Sequence, residues 1–214
     1  MLNNRRRFTL LAVVELYCGP EKPFSKIAEA LGYTATTVDP HRDAGATVTA
    51  KITEDLAIRL PKKPLIVWAS PPWSPLFLDT SAWASDGSFA PENQQAEEAM
   101  ELVRQTIRLI TAMNPAWWFL EHPKSLMRRM PLFAGFNRGY PNRNRRTIVH
   151  QRFGGEGSDV SDIWTNAFWW LPNSPDGGEP DTSQAEHHAR VPAFVYAQMF
   201  EKLETYKHTG VITY

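Results

Sequence analysis

The length, composition and charge of this chain exclude several classes of protein. It has 214 residues, of which 43% are hydrophobic and 21% are charged, as in globular proteins that bury a core. The formal net charge is zero, which argues against a surface that is basic throughout but leaves room for a local basic patch. The single cysteine, Cys18, excludes a disulfide framework and predicts a cytoplasmic location, and no apolar run reaches membrane-spanning length.

Strand-like and helix-like patterns alternate through the first 120 residues. Apolar, β-prone segments occur at residues 9–17, 34–38, 46–52, 65–69 and 117–120. Helical spacing occurs at residues 24–31 and again at residues 94–113. The apolar face of the longer helix is predicted to comprise Ala99, Leu102, Val103, Ile107, Ile110 and Met113. This alternation predicts an α/β fold with a mostly parallel sheet and flanking helices.

The remaining segments are predicted from turn residues and from apolar runs. Residues 74–95 and 172–189 are rich in Pro, Gly, Asp and Ser and are predicted to be loops, whereas residues 138–146 are basic and turn-rich. Strands are predicted at residues 147–153 and 163–170, and a closing helix at residues 191–206. We expect the aromatic run at residues 168–170 to lie in the core rather than to form a stacking platform.

A Ser-Pro-Pro-Trp motif occupies residues 70–73, directly after a buried strand. Both prolines fix φ and remove N–H donors, so the backbone is stiff and its carbonyls stay free to accept hydrogen bonds. Trp73 offers a flat face of the kind on which nucleobases stack. The alternative is a proline-stiffened loop with a core tryptophan.

Polar residues stand near the ends of four predicted strands: residues 15–19, Asp39, residues 70–73 and Glu121. Ligands of open α/β sheets bind outside the carboxyl ends of the strands. Asp39 follows Gly19 by 20 residues, a spacing that suits an acid reaching ribose hydroxyls, although Gly-x-Gly-x-x-Gly is absent. The alternative for Asp39 is a turn residue before proline.

The order of these motifs resembles that of short, phage-type DNA cytosine C5-methyltransferases. The resemblance rests on Glu-Leu-Tyr-Cys-Gly at 15–19, Val-Asp-Pro at 38–40, Asp55, Ala-Ser-Pro-Pro-Trp-Ser at 69–74, Phe-Leu-Glu-His-Pro-Lys-Ser at 119–125, the segments 147–154 and 162–166, and Val-Pro at 191–192 with the last helix. It implies a Rossmann-like S-adenosylmethionine-dependent methyltransferase fold in one domain over residues 1–214, without a large target-recognition domain. The cofactor-binding residues that it implies are Glu15, Tyr17, Cys18, Gly19, Phe24, Asp39, Pro40 and Asp55.

One departure from that family concerns the catalytic position. The family's nucleophilic cysteine directly follows Pro-Pro, and here that residue is Trp73, whose indole cannot add to C6 of cytosine. Ser-Pro-Pro-Trp instead resembles the catalytic motif of amino-methyltransferases, which modify N4 of cytosine or N6 of adenine. The resemblance implies that Ser70 and the Pro71 carbonyl accept hydrogen bonds from the target amine and that Trp73 stacks on the flipped base. Serine rather than aspartate favours N4-cytosine. The implied catalytic residues are Ser70, Pro71, Pro72, Trp73 and Glu121.

Two further groups of polar residues leave alternatives open. By resemblance, Glu121 would bind the Watson–Crick edge of cytosine; the alternative is a strand-end carboxylate paired with Lys124 or Arg128. A basic group is predicted to bind DNA phosphates, with a solvated turn as its alternative. That group consists of Arg138, Arg143, Arg145 and Arg146. The loop pair His187 and His188 lacks a convincing ligand set, so no metal is expected.

The sequence therefore predicts a DNA methyltransferase that uses S-adenosylmethionine on an exocyclic amine. One alternative is an inactive C5-methyltransferase relative that binds DNA or a protein, and the other is an RNA or small-molecule methyltransferase. Neither a membrane nor a metal is expected as a partner. A homodimer or a protein partner would supply specificity, and the location would be the cytoplasm of a bacterial or phage-infected cell.

Overall fold

A computed structural model describes residues 11–131, 145–154, 159–170 and 191–209. Seven strands are present in this part of the chain: β1 (Ala12–Leu16), β2 (Thr34–Asp39), β3 (Val48–Thr49), β4 (Ile66–Ala69), β5 (Trp117–Pro123), β6 (Arg145–Val149) and β7 (Val160–Thr165). Three α-helices accompany them: α1 (Pro23–Ala30), α2 (Gln94–Met113) and α3 (Ala193–Thr209).

The strands form one sheet in the order β3-β2-β1-β4-β5-β7-β6. The first five strands run parallel to one another, and β7 pairs antiparallel with both β5 and β6. The order of the first five strands is that of the Rossmann fold, and the inserted β7 departs from an all-parallel sheet. The predicted α/β class with a mostly parallel sheet is confirmed.

Both faces of the sheet are buried under helices. Successive side chains of each strand point to opposite faces, so neighbouring residues belong to different cores. On one face, Val13 and Trp68 belong to the core that includes residues of α1 and α3. On the other face, Val14 and Val67 belong to the core that includes residues of α2. The helices thus enclose the sheet, and the carboxyl ends of the parallel strands remain at one edge.

Helix α2 has the predicted bounds, but its buried face differs from the prediction. It begins after Asn93, whose side chain accepts a hydrogen bond from the Ala96 N–H, and ends at Asn114 in the left-handed conformation. Its buried residues are Ala96, Met100, Val103, Thr106, Leu109, Ile110 and Met113. Thr106 is buried because its hydroxyl is satisfied by the Leu102 carbonyl and by Tyr17, which apolar spacing cannot reveal. The predicted positions Ala99, Leu102 and Ile107 are only half-buried.

The later strands also differ from their predicted bounds. Strand β5 continues through Glu121 to Pro123, because β7 pairs with it beyond the point where β4 ends. The predicted strand at residues 147–153 is β6 followed by a single 3₁₀ turn, and β7 ends at Thr165 rather than at residue 170. Strand β3 is only two residues long. Trp169 and Trp170 are core residues as expected, whereas Phe168 is 56% exposed.

The predicted loop at residues 74–95 contains short 3₁₀ turns and is anchored to the core. The rings of Phe77 and Trp83 are stacked with their centroids 5.4 Å apart, and both side chains are buried. The Trp83 indole N–H also donates to the Leu76 carbonyl at 2.7 Å. Phe77 and Trp83 belong to the core that includes residues of α2, so this segment is held against that face of the sheet.

The described residues contain neither a membrane-spanning helix nor a metal-binding cluster. No helix among them is both long and apolar enough to cross a bilayer. No three of their His, Cys, Asp or Glu side chains are grouped as a metal ion would require. His187 and His188, which we did not expect to bind metal, lie outside the described residues.

Candidate active site

A cavity of about 290 Å³ opens at the carboxyl ends of the parallel strands. It lies where β1 and β4 are neighbours and the strand order reverses, which is the ligand position of open α/β folds. The residues that line it are Glu15, Tyr17, Cys18, Gly19, Pro23, Asp39, Pro40, His41, Ser70, Pro71, Pro72, Trp73, Glu121, Pro123, Val191 and Tyr196.

The predicted site residues divide into those that line this cavity and those that do not. All the predicted catalytic residues line it, and so do six of the predicted cofactor residues: Glu15, Tyr17, Cys18, Gly19, Asp39 and Pro40. Val191 and Tyr196 bring the predicted closing segment into the wall. Phe24 does not line the cavity, because it lies in the core against Trp68 and Phe200. Asp55 is exposed in a 3₁₀ turn, also outside the lining.

Sequence reasoning missed several lining residues, and only some of them carried a signal. His41 directly follows the Asp-Pro pair at residues 39–40, so its proximity follows from chain order. Pro23 begins α1 and Pro123 ends β5, and neither has a side-chain chemistry that marks a site. Their presence depends on how close those two element ends come to the sheet edge.

Glu15 connects the end of β1 to the start of α1. Its Oε2 accepts a hydrogen bond from the Ser25 N–H at 2.9 Å, and the side chain is buried. Ser25 lies in the first turn of α1, where backbone N–H groups lack helical partners and the helix dipole favours a negative charge. The carboxylate therefore holds the helix N-terminus against the cavity wall.

Asp39 connects the loops that follow β1 and β2. Its Oδ2 accepts from the Gly19 N–H at 2.9 Å, and its Oδ1 accepts from the His41 N–H at 2.9 Å. The bond to His41 is the local turn that the alternative interpretation describes, whereas the bond to Gly19 joins two strand ends. Gly19 has a φ of 55°, in the left-handed region that favours glycine. A carboxylate offers about four lone-pair sites, so Asp39 retains capacity for ligand hydroxyls.

Tyr17 and Cys18 are protonated groups of the cavity wall. The Tyr17 hydroxyl lies 3.0 Å from the Thr106 hydroxyl, and burial raises the pKa of Tyr17 to about 12. Burial, reinforced by the charges of Glu15 and Asp39, raises the pKa of the Cys18 thiol to about 11. Because the thiolate is the reactive form, this supports the expectation that Cys18 does not replace the missing nucleophile.

Ser70 lies between the Trp68 indole and the Glu121 carboxyl. The Trp68 indole N–H donates to Ser70 Oγ at 3.0 Å. The Ser70 and Ser161 hydroxyls both act on the Glu121 carboxyl as partners that lower its pKa. Ser70 and Glu121 are neighbours because Ala69 and Leu120 are paired in the preceding position of the sheet. Ser70 Oγ accepts one hydrogen, from the Trp68 indole, so a lone pair on this oxygen is left to accept another.

The Glu121 carboxyl can exchange a proton near neutral pH. Burial raises its pKa from 4.5 to about 7, the hydrogen bonds from Ser161 and Ser70 oppose that rise, and the charge of Asp162 adds to it. The alternative that Arg128 pairs with Glu121 is wrong. Arg128 instead donates to both carboxylate oxygens of Asp162, at 2.7 to 2.9 Å.

The prolines and Trp73 carry the chain away from the sheet beside the end of β1. The Ser70 N–H still donates to the Leu16 carbonyl at 3.4 Å, which continues the sheet for one residue. Pro71 is buried, Pro72 is exposed, and Trp73 is half-buried at the cavity wall. The motif therefore forms a rigid rim of the cavity. The alternative required a core tryptophan, but the Trp73 side chain is only half-buried.

The basic residues predicted to bind DNA lie outside the cavity lining where they are described. Arg145 and Arg146 belong to β6 rather than to a turn, and Arg138 and Arg143 lie outside the described residues. Arg145 Nε is 3.9 Å from Asp162 Oδ1, and burial lowers the pKa of the Arg146 guanidinium. Their role towards DNA stays a prediction.

No protein-family model and no curated protein matches the sequence of this chain. The geometry and chemistry of the cavity are therefore what indicates its function.

Proposed function

We propose that this chain is an S-adenosylmethionine-dependent methyltransferase that modifies an exocyclic amine of a base in DNA, with N4 of cytosine favoured. The observation that carries the proposal is the cavity itself. It brings residues of the cofactor-like motifs, among them Glu15, Gly19 and Asp39, to the same cavity as the Ser-Pro-Pro-Trp motif and Glu121. These segments are far apart in the sequence and meet only in the fold.

The residues on the β1 and β2 side suit S-adenosylmethionine. That molecule carries ribose hydroxyls, an α-ammonium and a sulfonium, which are hydrogen-bond donors or positive charges. Glu15 and Asp39 place two buried carboxyl side chains on this side of the cavity. Asp39 would hold the ribose hydroxyls, and the left-handed turn at Gly19 lets backbone approach the ligand closely. When bound, S-adenosylmethionine supplies an electrophilic methyl group.

The residues on the β4 and β5 side suit an amine. Ser70 Oγ accepts the Trp68 N–H, and its remaining lone pair can accept one hydrogen of an –NH₂ group. The Pro71 carbonyl can accept the other. With both hydrogens held, the nitrogen lone pair is oriented for attack, and positioning supplies most of the rate. Trp73 would stack on the flipped base.

The lack of an activated nucleophile among the residues that line the cavity favours this chemistry over C5 methylation. Trp73 stands where the C5 enzymes have cysteine, and the Cys18 thiol is held protonated by burial and by two neighbouring carboxylates. Transfer to an exocyclic amine needs no covalent intermediate with the protein. The chain's contribution is then to hold, orient and desolvate the amine.

The test uses the full chain with methyl-deuterated S-adenosylmethionine and duplex DNA, single-stranded DNA or RNA. The nucleic acid is digested to nucleosides, and any methylated nucleoside is identified by mass and by comparison with N4- and C5-methylated standards. We expect deuterated N4-methyldeoxycytidine, and we expect the Ser70→Ala variant to bind the cofactor but to transfer slowly.

Three other results would change the proposal. Cofactor binding without transfer to any substrate would identify an inactive relative. Transfer to RNA alone would change the substrate, and calorimetry that detects no cofactor binding by the wild-type chain would refute the proposal entirely.

A further inference from the structure

Tyr17, which directly follows β1, has a strained backbone conformation at the cavity wall. Its φ is 59°, in the left-handed region that bulky side chains rarely adopt. Other described residues besides glycine also have a positive φ, but of these only Tyr17 lines the cavity. Such a conformation costs free energy and persists where the surrounding structure holds it. The contacts that hold Tyr17 therefore bear on the shape of the site.

The Tyr17 hydroxyl is fixed by a residue of α2. It lies 3.0 Å from the hydroxyl of Thr106, which is 0% exposed. The Thr106 hydroxyl has one hydrogen and donates it to the Leu102 carbonyl at 2.9 Å. Thr106 Oγ1 must therefore accept the hydrogen of the Tyr17 hydroxyl. Burial raises the pKa of Tyr17 to about 12, so this hydrogen is present at neutral pH.

The backbone at Tyr17 begins the turn that carries Gly19 to Asp39. The Tyr17 N–H and the Cys18 N–H both donate to the Val38 carbonyl, at 2.8 and 3.3 Å. Directly after them, the Gly19 N–H donates to Asp39 Oδ2 at 2.9 Å. These bonds all join the loop after β1 to the end of β2. A change in the backbone at Tyr17 would therefore move the Gly19 N–H relative to the Asp39 carboxylate.

We propose that Thr106 is a positioning residue for the cofactor: it holds Tyr17 in the left-handed conformation, and Tyr17 in turn places the loop that sets Gly19 against Asp39. This inference rests on the proposed function, because it assigns a task at the site that would bind S-adenosylmethionine. Thr106 does not line the cavity and acts through Tyr17. The bond joins residues 89 positions apart in the sequence, so it ties α2 to the loop after β1.

The central variant is Thr106→Val, which keeps the branched shape of the side chain and removes the hydroxyl. Thr106→Ser keeps the hydroxyl and is the rescue variant. Thr111→Val is a matched control, since Thr111 lies on the same helix and donates to the Ile107 carbonyl at 2.8 Å, but is exposed. Tyr17→Phe removes the other half of the bond, and its combination with Thr106→Val completes a double-mutant cycle.

The readouts, all on the full chain, are the affinity for S-adenosylmethionine in calorimetry and the KM and kcat of methyl transfer. We expect Thr106→Val and Tyr17→Phe each to weaken binding about 3- to 10-fold, the scale of one hydrogen bond. The double variant should bind no more weakly than either single variant, because all three lack the same bond. The deficit should appear in KM for S-adenosylmethionine rather than in kcat. Thr106→Ser should retain most of the affinity, and Thr111→Val all of it.

Unchanged affinity in Thr106→Val would overturn the positioning role and leave the proposed function standing. Additive losses in the double variant would also overturn it, since Thr106 would then act by a route other than Tyr17. A loss confined to kcat would overturn it too. If Thr106→Val does not fold, Tyr17→Phe decides: weakened binding supports the role, and unchanged binding overturns it. If the wild-type chain itself binds no S-adenosylmethionine, the proposed function fails and the role falls with it.

Discussion

Glu121 makes the stability of the folded chain depend on pH, and Glu121→Gln should remove that dependence. The wild-type carboxyl is buried, and burial raises its pKa from 4.5 to about 7. The folded chain therefore holds this proton more tightly than the unfolded chain does. The stability that this group contributes is fully present below pH 4.5 and is lost as the pH rises through 7.

The size of the effect follows from the shift. A difference of about 2.5 pKa units corresponds to about 3 kcal/mol, at about 1.4 kcal/mol for each unit. Glutamine is neutral at every pH, and its amide oxygen can still accept from Ser70. We therefore expect the free energy of unfolding of the variant, relative to wild type, to increase by about 2 to 3 kcal/mol between pH 5 and pH 8. The same variant should lose methyl transfer, so it would be more stable and less active.

Urea unfolding at pH 5, 6, 7 and 8, followed by circular dichroism, measures this difference. Glu98→Gln is the control, because Glu98 is an exposed glutamate of α2. If the unfolding free energies of wild type and Glu121→Gln ran parallel across this range, the Glu121 carboxyl would not be a buried group with a raised pKa. A control variant that reproduced the effect would refute the reasoning equally.

Three further experiments test the predicted ribose contact, the stacking role of Trp73 and the predicted phosphate contacts. Asp39→Ala should weaken binding of S-adenosylmethionine by about 1–3 kcal/mol in calorimetry. Asp39→Asn keeps an acceptor for one backbone N–H and should lose less affinity. Equal binding by the wild type and both variants would count against the ribose contact. Trp73→Ala should reduce affinity for single-stranded DNA by about 1–3 kcal/mol in fluorescence anisotropy without changing cofactor affinity, and unchanged DNA affinity would remove the stacking role. Arg143 and Arg145 should be replaced together by alanine. The slope of log affinity against log salt on duplex DNA should then fall by about 0.9 for each phosphate that is no longer neutralised. An unchanged slope would show that these arginines do not bind phosphates.

Local sequence patterns determined much of the fold and the inner part of the site. Alternating apolar segments predicted the parallel strands, and residues that follow or end those strands meet in space because parallel strands share a carboxyl edge. For this reason Glu15, Asp39 and Ser70 could be assigned to one cavity from the sequence alone. Asn93 and Asn114, which cap α2 at its two ends, are likewise short-range signals.

Other features depended on tertiary contacts that no local pattern encodes. Thr106 of α2 is buried because Tyr17 reaches it from the end of β1. Asp39 accepts from the Gly19 N–H because the loops that follow β1 and β2 are adjacent. Ser161 acts on the pKa of Glu121 because β7 inserts antiparallel beside β5. A hydrogen-bonded pair of this kind is decided by strand order and register, which place distant residues side by side, whereas the sequence by itself determined the elements and the chemistry that each one presents.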